Sequence, residues 1–216
     1  MSDASQERIN QDYFTDVKEF EGTSDLQGSS KWEEISGKKS FENDKFLPYK
    51  DSDVSWVIGY GTKIEEENLD HYRNGITKEE ADSLLTERLD DAQRQAASLV
   101  FNFTELPEDV QEVLTDLTFN MGYGTVNEEF PSFLNAIEEG DYPMAMAHLK
   151  YRNPDSLGLK ASHKDDTGDE YSNYYKTHTT RGVYNLDKIE RAYQESLDVS
   201  TDDGVFNMLL DKDAFE

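Results

Sequence analysis

Two acidic residues, Glu21 and Asp51, stand where a pair of carboxylates could act together. Glu21 closes an apolar-periodic segment and is followed by Gly22; Asp51 lies in the polar part of PYKDSDVSWVIGYGT, residues 48–62, just ahead of Trp56, Val57 and Ile58. Two carboxyl groups are the minimum equipment for cleaving a glycosidic bond: one protonates the leaving oxygen, the other activates water or attacks the sugar. The chain carries 47 acidic residues, so proximity in sequence alone proves nothing. Context singles these two out, one ending a helix and the other preceding a glycine-bearing strand. The alternatives are a solvated glutamate at a helix end and an ordinary bulged hairpin. Other clusters point to less. His71, His148, His163 and His178 have no metal-ligand spacing, and the run Asp165, Asp166, Asp169 and Glu170 lacks the pattern of a calcium loop. With no cysteine there is no thiolate zinc site and no disulfide. The expectation is a site with neither metal nor cofactor.

The elements that must position the pair can be read from periodicity. Ile9, Tyr13, Phe14, Val17 and Phe20 recur at helical spacing, so a short helix is expected from Ile9 to Glu21. A carboxylate on its last turn is disfavoured by the helix dipole and needs compensation if buried. Trp56 to Ile58 favour a strand, and Gly59 and Gly61, alternating with Tyr60 along it, mark a close approach of ligand or backbone. Thr77 and Glu80 form a capping box that opens a long helix, whose apolar stripe from Ala81 through Leu99 and Val100 extends to about Phe103 and could join two lobes. Further helices follow Pro107 as far as Gly122, span Phe130 to Glu139, begin at the Asp141 cap and run from Asp187 to Leu197. Tyr174 and Tyr175 could stack on sugar rings or fill the core, one expected in each role. Residues 1–8 read as a frayed start, about 23–47 as a polar excursion with one short element near Trp32, 153–173 as a second polar loop, and 198–216 as an acidic tail. The expected architecture is α+β over residues 9–197, helix-rich with one small sheet in the N-terminal third.

Charge narrows the function classes. A formal net charge of −26 repels nucleic acid and anionic membrane surfaces, so no nucleic-acid partner is expected. Such acidity suits a protein working in high salt or docking onto a basic partner, and it opposes approach to a polyanionic substrate. The start MSDASQERINQDYF has neither the basic region nor the apolar run of a signal peptide, and no stretch is apolar enough to span a bilayer, so a soluble product without a stable membrane anchor is expected.

At this point the sequence resembles a known family, the phage-type lysozymes of glycoside hydrolase family 24, the T-even phage lysozyme included. Glu21 and Gly22, then Tyr49, Lys50 and Asp51, then Ile58, Gly59, Tyr60 and Gly61 stand in the places of the family's motif. ITKEEA at 76–81 is similar to the start of its inter-lobe helix, FNMG at 119–122 to a buried helix end, GDYPMAMAHL at 140–149 to its next helices, and YYKTHTTR at 174–181 to its aromatic-to-arginine segment.

The resemblance implies a lysozyme-like α+β fold: a small N-terminal lobe with a short sheet and a larger helical C-terminal lobe, joined by a long helix. It implies hydrolysis of the β-1,4 bond between N-acetylmuramic acid and N-acetylglucosamine, with Glu21 as general acid, Asp51 placing or activating water, and Arg181 as the cation facing Glu21. The partner is then the peptidoglycan glycan strand, reached from the host cytoplasm at lysis or from a virion. The alternative is a degenerate lysozyme-like structural or glycan-binding component, with virion or tail proteins as partners. Three departures stand out. The family has eight residues between its carboxylates where residues 22–50 stand here, Val57 replaces its threonine, and Thr62 replaces its histidine after the second glycine. Valine cannot hold water by a hydrogen bond, which leaves Ser55, two residues back on the same strand face, or Thr62, after the second glycine, to substitute; Tyr60 lies between the glycines as a further substrate contact.

Overall fold

Asn10 accepts a hydrogen bond from the Asp12 amide at 2.8 Å and so caps α1, Gln11–Phe20, whose Tyr13, Phe14 and Val17 are buried. The computed structural model describes residues 10–21, 41–50, 55–152 and 171–197. The expected frayed start, the element near Trp32, Asp51, His163, the acidic run at 165–170 and the tail from 198 lie outside the described residues. The chain divides into two units, residues 1–91 and 92–216.

Among the described residues all strands fall in the first unit. The end of the 23–47 excursion is structured: β1 (Phe41–Glu42) and β2 (Lys45–Phe46) pair antiparallel across Asn43 and Asp44, which have φ of 51° and 59°. A two-residue turn with both central residues left-handed matches strand twist, and Asn and Asp are among the residues that tolerate it. A second antiparallel sheet has the order β3 (Tyr49–Lys50), β4 (Trp56–Ile58), β5 (Thr62–Ile64), with Val57 opposite both Tyr49 and Lys63. Gly59, Tyr60 and Gly61 therefore form the turn between β4 and β5; they do not continue the strand as the sequence suggested. A 3-10 turn at Glu66–Asn68 and α2 (Leu69–Tyr72) follow. The Thr77–Glu80 capping box then forms in both directions, at 2.7 and 3.2 Å, and opens α3, Lys78–Ala96. The core of this unit gathers Tyr13, Val17, Phe46, Ile58, Tyr60 and Leu85.

α3 carries the chain into the second unit and ends at Ala96, short of the expected Phe103; residues 103–105 form a separate 3-10 turn. α4 (Glu108–Met121) is buried along Val113, Leu114 and Leu117 and stops at Gly122. α5 (Tyr123–Glu129), not foreseen, leads into α6 (Pro131–Glu139), and the Asp141 carboxylate accepts from the Met144 amide at 3.1 Å to cap α7, Tyr142–Lys150. After α8 (Asn173–Thr177), capped by Ser172, the last helix α9 runs Thr179–Ser196, starting well before the expected Asp187. Gly182 and Asn185 are poor helix formers, and tertiary contacts override them. A Cβ at Gly182 would lie 2.8 Å from the Tyr175 ring, and the Asn185 side chain is engaged by buried partners. The architecture is α+β, a sheet-bearing first unit and a helical second one.

Candidate active site

The last turn of α1 and the β4–β5 turn build the candidate site within the first unit. Tyr13, Phe14 and Val17 bury one face of α1, each contributing roughly 1.5–3 kcal/mol. One turn before Glu21, Lys18 Nζ donates to Asp82 Oδ1 of α3 at 2.8 Å and lies 5.2 Å from the Phe14 ring centre and 5.1 Å from that of Tyr60. Glu21 itself ends the helix, its amide donating to Val17 O at 2.9 Å, and its side chain is half-buried.

The hairpin turn receives the carboxylate. Gly61 has φ +77°, a region L side chains rarely adopt, and a Cβ placed on it would be 3.3 Å from Glu21 Oε2. Glycine is favoured here by the backbone conformation, and an added Cβ would crowd the Glu21 carboxylate. The turn is held from behind: Arg88 Nη1 of α3 donates to Tyr60 O at 2.8 Å, and Gly59 packs on Ala81. Thr62, opposite Ile58 in the register, and Ser55, just before β4, are both half-buried. Val57 is only 2% exposed, so the family's threonine position is here a buried apolar one. Asp51 lies outside the described residues.

One expectation is corrected. Tyr60 is 1% exposed: its ring lies 5.4 Å from that of Phe46 and faces Lys18, so it has no surface to offer a glycan. Its phenol, beside Asp82, is pushed well above the ordinary range, first by burial and then by that carboxylate. Arg181 is buried in the second unit, where its Nε donates to both Asp116 carboxylate oxygens at 2.9 and 3.1 Å. Tyr174 and Tyr175 are both buried, and Tyr174 also lines a cavity of the second unit. The Tyr174 hydroxyl accepts from Asn185 Nδ2 at 2.8 Å, Asn185 also donates to Asp116 at 2.8 Å, and burial followed by the Asp116 charge raises the Tyr174 phenol.

The sequence reading missed Lys18, Asp82, Asp116 and Asn185. Asp116 carried a usable signal: an aspartate inside the stripe VLTDLTF must be buried with a partner or not at all. The Lys18–Asp82 pair spans 64 positions and carried none.

A cavity of about 410 Å³ in the second unit is lined by Phe130, His148, Arg152, Tyr174 and His178 among others; none of the candidate site residues lines it. No helix among the described residues is long and apolar enough to cross a membrane.

Comparison with curated proteins finds no match. Comparison with protein families finds one, described as phage lysozyme, over residues 39–160. The matched segment takes in Asp51, Ser55, Tyr60 and Thr62 and leaves Glu21 and Arg181 outside it. It starts within the excursion that separates α1 from the β4–β5 hairpin and covers more than half of the chain. The chain belongs to the phage lysozyme family.

Proposed function

We propose that the chain is a muramidase, cleaving the β-1,4 bond between N-acetylmuramic acid and N-acetylglucosamine in peptidoglycan glycan strands. Family membership supports peptidoglycan hydrolysis, and the observation that carries the finer reading is the Glu21 carboxylate lying against Gly61 of the hairpin. In this reading Glu21 protonates the leaving oxygen. Asp51, just before β4, places or activates the water, and Ser55 or Thr62 holds it in place of the threonine that Val57 replaces. No cofactor takes part. The protein meets its substrate at the cell wall, from the host cytoplasm at lysis or carried on a virion.

The test is release of reducing ends from isolated peptidoglycan by purified protein in low and high salt, beside Glu21→Gln. Turnover above the variant, rising with salt as repulsion between an acidic protein and its polyanionic substrate is screened, supports the reading. Absence of turnover above Glu21→Gln in both conditions overturns it. The burial of Val57 favours a second reading, a lysozyme-like component that binds glycan or builds a phage particle without cleaving. Glycan binding without turnover selects it.

A further inference from the structure

We infer that Lys18 and Asp82 are positioning residues that hold the Glu21 carboxylate over Gly61, an inference that rests on reading Glu21 as the general acid.

α1 has only ten residues, too few to be stable alone, so its orientation is set by what it packs on. Of its buried residues, Tyr13 and Phe14 lie N-terminal to its last turn and Val17 opens it. Lys18, the next residue of that turn, ties it to α3. It stands three positions before Glu21, on the neighbouring strip of helix surface. Its ammonium reaches Asp82 of α3 at 2.8 Å and lies beside the ring of Tyr60, the residue between the two hairpin glycines.

One cation thus joins three elements at one point: α1 through its own backbone, α3 through Asp82, and the hairpin turn through Tyr60. The same turn is anchored to α3 a second time through Arg88 and the Tyr60 carbonyl. The turn that receives the carboxylate and the helix that delivers it therefore share a reference frame in α3. The pair is sheltered, with side-chain exposures of 17% for Lys18 and 35% for Asp82. The rings on either side of the ammonium limit its motion. Removing the tie leaves the buried face of α1 in place while loosening the turn that carries Glu21, and small misplacement of a reacting group is costly.

The experiment compares Lys18→Met, Asp82→Asn, the double variant and Lys18→Arg with wild type, using turnover on peptidoglycan and the pH titration of the Gly61 amide signal by NMR. In wild type that signal should follow ionisation of the adjacent Glu21 carboxylate and be lost in Glu21→Gln. The expected result is a fall in kcat of about tenfold or more in Lys18→Met and Asp82→Asn with KM little changed. The double variant should be no worse than either single one, Lys18→Arg should recover most of the rate, and the Gly61 response should shrink in step. Folded Lys18→Met and Asp82→Asn proteins with wild-type kcat and an unchanged Gly61 titration overturn the inference while leaving the muramidase reading intact. A wild type without turnover sinks that reading instead, and the Gly61 titration then still decides whether the pair holds Glu21 in place.

Discussion

The two units use buried charge in opposite ways. In the helical unit, α4 and α9 are tied by charges withdrawn from water: Arg181 to Asp116, which is fully buried, and Lys188 to Glu112 and Asp109. Each finds a partner on the facing helix, with Asn185 completing the Asp116 site and Arg191 completing that of Asp109. In the sheet-bearing unit the Lys18–Asp82 pair is only sheltered, and Glu21 reaches a turn from which side chains are excluded. Charge in the second unit ties helix to helix inside the core, whereas in the first the Lys18–Asp82 pair joins α1 to α3 near the turn that Glu21 approaches. A buried pair is a poor source of net stability but a costly thing to break, which makes the contrast testable.

The largest effects should separate the units cleanly. Glu21→Gln should lower turnover by about 10²–10⁴-fold, the usual contribution of a general acid, while leaving the urea midpoint nearly unchanged. Asp116→Ala should do the reverse where it counts, destabilising the fold by about 3–5 kcal/mol in urea titration because Arg181 loses its buried counter-charge. A Glu21→Gln protein that unfolded as readily as Asp116→Ala would erase the distinction.

Gly61→Ala comes next. The positive φ alone should cost about 1–2 kcal/mol in the denaturation curve, and the added methyl should also displace the Glu21 carboxylate and reduce turnover. Equal activity at reduced stability would show that the carboxylate does not use that turn.

The Lys188 cluster sharpens the comparison through pH. Burial acts to raise the Asp109 carboxyl, but the Arg191 hydrogen bond and the Lys188 charge outweigh it and leave it below its ordinary value. Its stabilisation is therefore complete above the usual aspartate pKa of about 3.9 and is lost as pH falls through the depressed folded value. The stability gap between wild type and Asp109→Asn should be open at neutral pH and close in acid. Glu112 has the opposite sign: burial raises its carboxyl more than the hydrogen bond and charge of Lys188 lower it, so its contribution is full below the usual glutamate pKa and fades as pH rises through the folded value. Glu112→Gln should therefore lose least at neutral pH. The smallest effect belongs to Arg73→Ala, which breaks an exposed pair with Asp70 at 2.9 Å; no shift of the thermal midpoint is expected.

Elements were more legible than partners. The helix ending at Glu21, the Thr77–Glu80 box, the Asp141 cap and the helix stops at Gly122 and Gly140 were readable because each is a contest among neighbours along the chain, decided by spacing and by one capping group. The β1–β2 hairpin was readable too, from Asn-Asp between Phe41–Glu42 and Lys45–Phe46, and was lost inside a stretch that looked polar throughout. α9 starts earlier than expected, and its first half holds Gly182 and Asn185, poor helix formers whose fit against Tyr175 and bonds to buried partners outweigh the local preference.

By itself the sequence determined the family, the α+β class, the position of Glu21 at a helix end and the glycines of the hairpin, since all of these are written in local spacing and composition. Tertiary structure alone decided that Tyr60 is core, that Arg181 answers to Asp116, that Lys18 meets Asp82 and that the Glu21 carboxylate rests against Gly61. Each of these joins residues dozens of positions apart, and a charge or a ring takes its role from whatever folding brings beside it.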